Sequence, residues 1–352
     1  MEESNEETIL YSTFNNDSSC FCIGTNKGLR IYGSYPIKCV GKTDIDGGIS
    51  IVDILNRSNV LAFVGTGKSD KSLNKVILWD YIKSHALNEI ISMNDIKNVK
   101  LKRTKLFIVT ENNINVFTLG SYEKIDTIKT CQNKNGILGI SSDPKTNIIA
   151  YPSLDVGKII IKNYDEKKNG NYITQEINAH STEIVALTMN NDGSLVASAS
   201  EKGTIIKIFK TKDADLIQEL RRGTKPATIY SLAFNHTSQL IACSSSSGTI
   251  HIFNVKNDDN QVQNQKSYFG SVVNFLGIRN EYLNSEWSFS QYRLNYKERS
   301  IVSFTPDNKP SAIVLTSDGH YYQCEFKEKA GGECSTSLNK NFLELEIEKD
   351  DD

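Results

Sequence analysis

The chain has 352 residues, 38% hydrophobic and 23% charged, with a formal net charge of -2. That length allows two ordinary domains or one large β architecture, and the apolar content excludes general disorder. The near-zero charge excludes a globally basic nucleic-acid binder, so any anion site must be local.

The first ten residues, MEESNEETIL, lack the basic start and apolar run of an export signal. Cysteines stand at 20, 22, 39, 131, 243, 324 and 334, with no C-x-x-C and no histidines at zinc spacing. An odd, scattered set without an export signal predicts reduced thiols in a cytosolic protein and no metal or other cofactor. No window approaches the roughly 18 apolar residues of a membrane-spanning helix.

One strand pattern then recurs along the chain: KGLRIYG from Lys27, NKVILWD from Asn74, NNINVF from Asn112, VGKIIIKNY from Val156, EKGTIIKIFK from Glu201, SSGTIHIFNV from Ser246 and DGHYYQCEF from Asp318. Each is a short alternating β run after a polar or glycine turn. Most neighbouring copies lie roughly 38 to 47 residues apart, the period of a four-stranded propeller blade. The stretch 183–220 holds four such runs, with Asn191, Asp192 and Gly193 turning the chain between the first two. These seven copies predict an all-β fold, a seven-bladed β-propeller of four-stranded antiparallel blades. The blades are expected at about 8–42, 49–93, 97–131, 135–178, 179–220, 225–296 and 298–345 as a single domain, with a disordered acidic tail at 346–352. WD-repeat signatures are sparse, limited to LWD at 78–80 and Ala179–His180.

The spacing breaks once. Gly248 and Gly319 stand 71 residues apart, so the sixth blade carries an insertion at about 255–286. It begins polar and Asn/Gln-rich, then turns apolar at YFGSVVNFLGI. Tyr268, Phe269, Val272, Val273, Phe275 and Leu276 are candidates for a membrane-inserting loop, since 269, 272, 273 and 276 share one helical face. Packing on the blade's own flank is the alternative.

The sequence QELRRGTKPATIYSLAF places Arg221 and Arg222 between the fifth and sixth blades. In extended backbone successive side chains point to opposite sides, so the pair reaches toward two neighbouring pockets rather than one. Gly223 gives a turn without a side chain in the way. The preceding blade offers Ser198, Ser200, Gly203, Thr204 and Lys207, and the following one Ser244 to Ser247, Thr249 and His251. Hydroxyls, amides beside glycine and an arginine fork are the donors a phosphate requires. A solvated Arg pair beside ordinary turns is the bland reading.

LRRGT resembles the F/L-R-R-G motif of the PROPPINs, β-propellers that bind polyphosphoinositides and act in autophagy. INAHSTEIVALTMNNDGSLVASASEKGTIIKIFKTKDADLIQELRRG is similar to that family's fifth blade, SSGTIHIF to its sixth, and FNNDSSCFCIGTNKGLRIY to its first. NKVILWD and SEWSFSQYRL resemble the shorter human WIPI-type subgroup. The resemblance implies a first phosphoinositide site of His180, Ser198, Ser200, Gly203, Thr204, Lys207 and Arg221, and a second of Arg222, Gly223, Ser245, Thr249 and His251. Relatives often carry arginine where Lys207 stands, and Asp-Lys or Asp-His where Ser246 and Ser247 stand.

It further implies recruitment to membranes bearing phosphatidylinositol 3-phosphate or phosphatidylinositol 3,5-bisphosphate, on preautophagosomal, endosomal or vacuolar surfaces. An autophagy lipid-transfer protein is the expected partner, met at Asn15 and Asp17 of FNND, where a plain type I turn is the alternative. No nucleic acid is expected, and the chain is expected to be a monomer. No GxSxG elbow, P-loop or H-E-x-x-H is present, so no enzyme is expected. The rival reading is a scaffold propeller that binds proteins and ignores lipids.

Overall fold

The computed structural model describes residues 6–68, 71–168, 170–256, 264–265, 285–295, 297–307 and 309–347. Seven sheets follow one another along the chain, each built on four successive antiparallel strands, making the fold a seven-bladed β-propeller. They span residues 9–44, 49–91, 96–129, 139–178, 184–221, 229–293 and 300–341. The chain divides into two compact units, one of residues 1–136, 315–321 and 339–352, the other of 137–314 and 322–338. Among the described residues the helical content is one 3-10 turn, Phe342–Glu344, and no helix is long and apolar enough to cross a membrane.

The recurring runs are the third strands of the seven blades, and three blades also share a turn between their first and second strands. Asn15 Oδ1 accepts from Cys20 N at 3.1 Å, Asn190 Oδ1 from Leu195 N at 2.8 Å, and Asn235 Oδ1 from Leu240 N at 2.9 Å. Three residues after each asparagine the backbone enters the left-handed region, at Ser18, Gly193 and Ser238. The side-chain amide then ties one blade to the next: Asn15 Nδ2 donates to Asn56 O at 3.0 Å, and Asn190 Nδ2 to Ser238 Oγ at 3.0 Å. A side chain that mimics a backbone turn is the ordinary use of asparagine here.

In the first unit, Cys22, Leu29, Ile31, Val52, Leu61 and Phe63 form one core between the first two sheets. Phe21 stacks on Tyr32 at 4.8 Å between ring centroids and meets Phe342 edge-on at 5.5 Å. In the second unit the fifth sheet packs apolar side chains on both faces. One face packs Val196 and Phe209 with Ala150, Ile159 and Ile177 of the fourth sheet. The other packs Ala197, Ala199, Ile206, Ile208 and Leu220 with Ile241, Cys243 and Phe253 of the sixth.

The insertion leaves the third strand of the sixth blade, Thr249–Asn254, and the chain returns along the fifth blade before completing the sixth. Glu286–Trp287 adds a short parallel strand beside Leu220–Arg221, and Ser290–Arg293 then pairs antiparallel with the third strand. Tyr268, Phe269, Val272, Val273, Phe275 and Leu276 lie outside the described residues, as does 348–352 of the tail.

Candidate functional site

The two arginines stand at the end of Leu216–Arg221, the fourth strand of the fifth blade. Leu220 faces the sixth sheet, so strand alternation turns Arg221 to the opposite face, the one carrying Ser198, Ser200 and Lys207. Arg222 returns to the side of the sixth sheet, near Cys243 and His251. Neither arginine is a solvated surface charge: Arg221 is 1% and Arg222 5% exposed.

On the first side, one row crosses the sheet as Leu187, Ser198, Lys207 and Glu219. His180 Nε2 and Ser198 Oγ lie 3.1 Å apart, and Ser198 is fully buried behind this contact. Burial, and then the Lys207 charge, push the His180 ring down to about 4, so it is neutral at pH 7. Ser200 is two residues on from Ser198 on the same face. Arg221 Nε donates to Ser285 Oγ at 2.7 Å, and its guanidinium carbon sits 6.0 Å from the Trp287 ring centroid.

Sequence reasoning missed Glu219. Its carboxylate lies 3.1 Å from Lys207 Nζ, on the row where that lysine was read as a phosphate ligand. The signal was present in QELRRG, since a residue two before Arg221 in a strand must share its face. Ser285 and Trp287 were also missed as neighbours of Arg221. They lie more than sixty positions along the chain, and only the parallel pairing with Leu220–Arg221 brings them close.

On the second side, Arg222 Nε donates to Gly203 O at 2.8 Å and Nη2 donates to Lys225 O. Its backbone N–H donates to Thr204 O at 3.0 Å. Gly203 and Thr204, grouped with Arg221 from the sequence, therefore give their carbonyls to Arg222. Gly203 is required where it stands: its backbone is left-handed, and a Cβ would drive into the Ala227 carbonyl oxygen. Gly223 differs. Its φ is not in the left-handed region, and a Cβ there would meet nothing within 4 Å. The turn does not need this glycine, which instead leaves space beside the arginines.

Ser245, Thr249 and His251 share the sixth-blade face that carries Cys243 and Phe253. Burial, and then Arg222, push His251 down to about 4, and its Nδ1 lies 3.2 Å from Ser288 Oγ. Ser245 Oγ is 2.9 Å from Ser247 Oγ. Thr249 opens onto a cavity of about 290 Å³ with Gln291, Arg293 and Glu333 in its wall.

Arg222 is a buried cation whose side-chain hydrogen bonds go to carbonyl oxygens rather than to a carboxylate. Burial lowers its pKa, the opposite of what an ion pair does. The arrangement suits an anion brought from outside: cations held in place, neutral imidazoles beside them, and hydroxyls at the edge.

Of the proposed partner surface in the first unit, Asn15 is buried in its turn, its amide spent on Ser19 and Asn56. Asp17 is half exposed, with Arg57 3.5 Å away. It accepts from Ser19 N at 3.1 Å, as Asp192 accepts from Ser194 N at 3.0 Å in the fifth blade, so the turn role is common to both.

Comparison with known proteins covers nearly the whole chain. The PROPPIN family model matches residues 9–343. Autophagy-related protein 18e of Arabidopsis thaliana is 30% identical over 98% of this chain and 91% of its own length. Autophagy-related protein 18 of Dictyostelium discoideum is 29% identical over 98% and 96%. Among solved structures, Kluyveromyces lactis Hsv2 superposes with a TM-score of 0.78 at 21% identity, covering 96% of this chain and 100% of that one. KlAtg21, in complex with the coiled coil of AgAtg16, gives 0.76 at 22% identity over 95% and 99%.

Proposed function

This chain belongs to the PROPPIN family, and on that premise we propose that it is a peripheral membrane effector reading phosphoinositides through two separate sites, one at Arg221 and one at Arg222. The observation that carries the reading is their divergence. Adjacent buried guanidiniums turn to opposite faces of one strand end, each toward a serine-bearing wall with a neutral histidine. An ordinary stabilising role for Arg222 would call for a carboxylate partner, because an unpaired buried charge is costly. Arg222 has carbonyls instead.

The ligands in this reading are phosphatidylinositol 3-phosphate and phosphatidylinositol 3,5-bisphosphate on autophagic, endosomal or vacuolar membranes. The apolar segment 268–276 adds a third contact by entering the lipid interface. Three weak contacts on one body give firm but reversible recruitment. The chain then acts as a monomeric adaptor rather than an enzyme, with Asp17 as a contact for an autophagy lipid-transfer protein.

Vesicle sedimentation tests the core of this. Phosphatidylcholine vesicles with phosphatidylinositol 3-phosphate should pellet the wild-type chain. Arg221→Ala and Arg222→Ala should each weaken pelleting, and the double variant should abolish it with the circular dichroism spectrum unchanged. Equal pelleting of wild type and double variant leaves the scaffold reading standing. Full retention of the protein partner by Asp17→Ala would remove that surface from the account.

A further inference from the structure

The stretch that returns from the insertion touches both arginine regions. Ser285 Oγ accepts from Arg221 Nε at 2.7 Å, and the Trp287 ring lies 6.0 Å from the Arg221 guanidinium carbon. The next residue, Ser288, reaches the other way, with its Oγ 3.2 Å from His251 Nδ1. Backbone pairing of Leu220 with Glu286 and Arg221 with Trp287 fixes the register in which this happens.

Glu286 locks that register. Its Oε2 accepts from Gln218 Nε2 at 2.7 Å and from Asn264 Nδ2 at 2.9 Å, and its Oε1 is 2.6 Å from Lys256 Nζ. Asn264 grips Asn254 through both backbone groups at 2.7 Å, and Trp287 N donates to Gln265 O at 2.8 Å. Burial opposes charge on Glu286, but hydrogen bonds from Lys256, Asn264 and Gln218 outweigh it and hold the carboxyl below its ordinary value. A largely shielded carboxylate with three hydrogen-bonding partners is a specific tether rather than a general adhesive.

We infer that residues 285–288 are a positioning strap for both head-group sites. Ser285 and Trp287 orient Arg221, Ser288 orients His251, and Glu286 pins the strap to the fifth blade. An arginine side chain is costly to order, and one already fixed by a hydroxyl and an aromatic face binds phosphate without that cost. Nothing in this role requires the strap to touch lipid, so it is separate from any contact made by the apolar segment 268–276. The inference rests on the two-site reading above.

Calorimetry with soluble short-chain phosphatidylinositol 3-phosphate tests it without a bilayer, so the apolar segment has no membrane to enter. The strap variants are placed in two backgrounds, Arg222→Ala, which isolates the first site, and Arg221→Ala, which isolates the second. Ser285→Ala and Trp287→Ala should weaken binding about tenfold in the Arg222→Ala background and leave the other unchanged, the scale of one charge-assisted hydrogen bond or one cation–π contact. Ser288→Ala should do the reverse, and Ser285→Thr, which keeps a hydroxyl, should restore the first site. Uniform losses in both backgrounds, or none in either, overturn the strap. A wild-type chain that releases no binding heat overturns the two-site reading and the strap with it. Melting curves of each variant separate loss of fold from loss of site.

Discussion

In the two-site reading Glu219 competes with the phosphate for Lys207, so Glu219→Gln should tighten phosphoinositide binding. The carboxylate lies 3.1 Å from Lys207 Nζ on the row that Ser198 shares, with both side chains largely buried. A phosphate docked on the far side of that ammonium sits about 6 Å from the carboxylate. With an effective dielectric of about 40, between water and protein, the repulsion is about 1.4 kcal/mol per unit of phosphate charge. Losing the carboxylate also releases Lys207 from its fixed position, which returns up to about 1 kcal/mol because this is a partly exposed pair. A phosphomonoester carries about -1.5 to -2 charges, so the balance favours the variant by about 1 to 3 kcal/mol, roughly a five- to hundredfold gain in affinity. Calorimetry in the Arg222→Ala background reads it directly, and rising salt should shrink the gain. Unchanged or weaker binding by a normally folded Glu219→Gln would refute the placement of a phosphate at Lys207.

Gly223→Val should leave the urea midpoint within about 0.5 kcal/mol of wild type, because its Cβ meets open space at an ordinary φ; in calorimetry it should weaken binding at the arginines, and full affinity would show that no ligand uses that space. Asn190→Ala should cost about 2 to 3 kcal/mol in urea unfolding, since the buried amide serves Leu195 N, Ser194 Oγ and Ser238 Oγ at once; Asn235→Ala, half-buried, should cost less. His180 and His251 titrate at about 4 in the fold against an ordinary 6.5. Between those values the unfolded chain binds more protons, so their stabilising effect is complete above pH 6.5 and is lost as pH falls toward 4. Replacing both rings by asparagine should flatten the urea midpoint between pH 6.5 and 5, and an unchanged slope would count against their burial.

The blade count was legible in the sequence because the third strand of each blade repeats one alternating pattern after a polar or glycine turn, and in three blades the turn between the first two strands is also written in the same residues. Asn15, Asn190 and Asn235 each close a local five-residue hydrogen bond that needs no distant partner. The divergence of Arg221 and Arg222 was legible for the same reason, since strand alternation is local geometry. Residue identity alone did not give their surroundings. Pairing of Glu219 with Lys207 depends on cross-strand register, and the capture of Arg221 by Ser285 and Trp287 depends on a parallel pairing across 66 positions. Gly203 and Gly223 read alike as letters. One sits where a backbone carbonyl forbids any side chain, and the other where space is left open. Local hydrogen bonds and alternation act over a few residues and leave a periodic trace in the sequence. Long-range register and steric room arise from which strands pack together, and only the folded chain decides those.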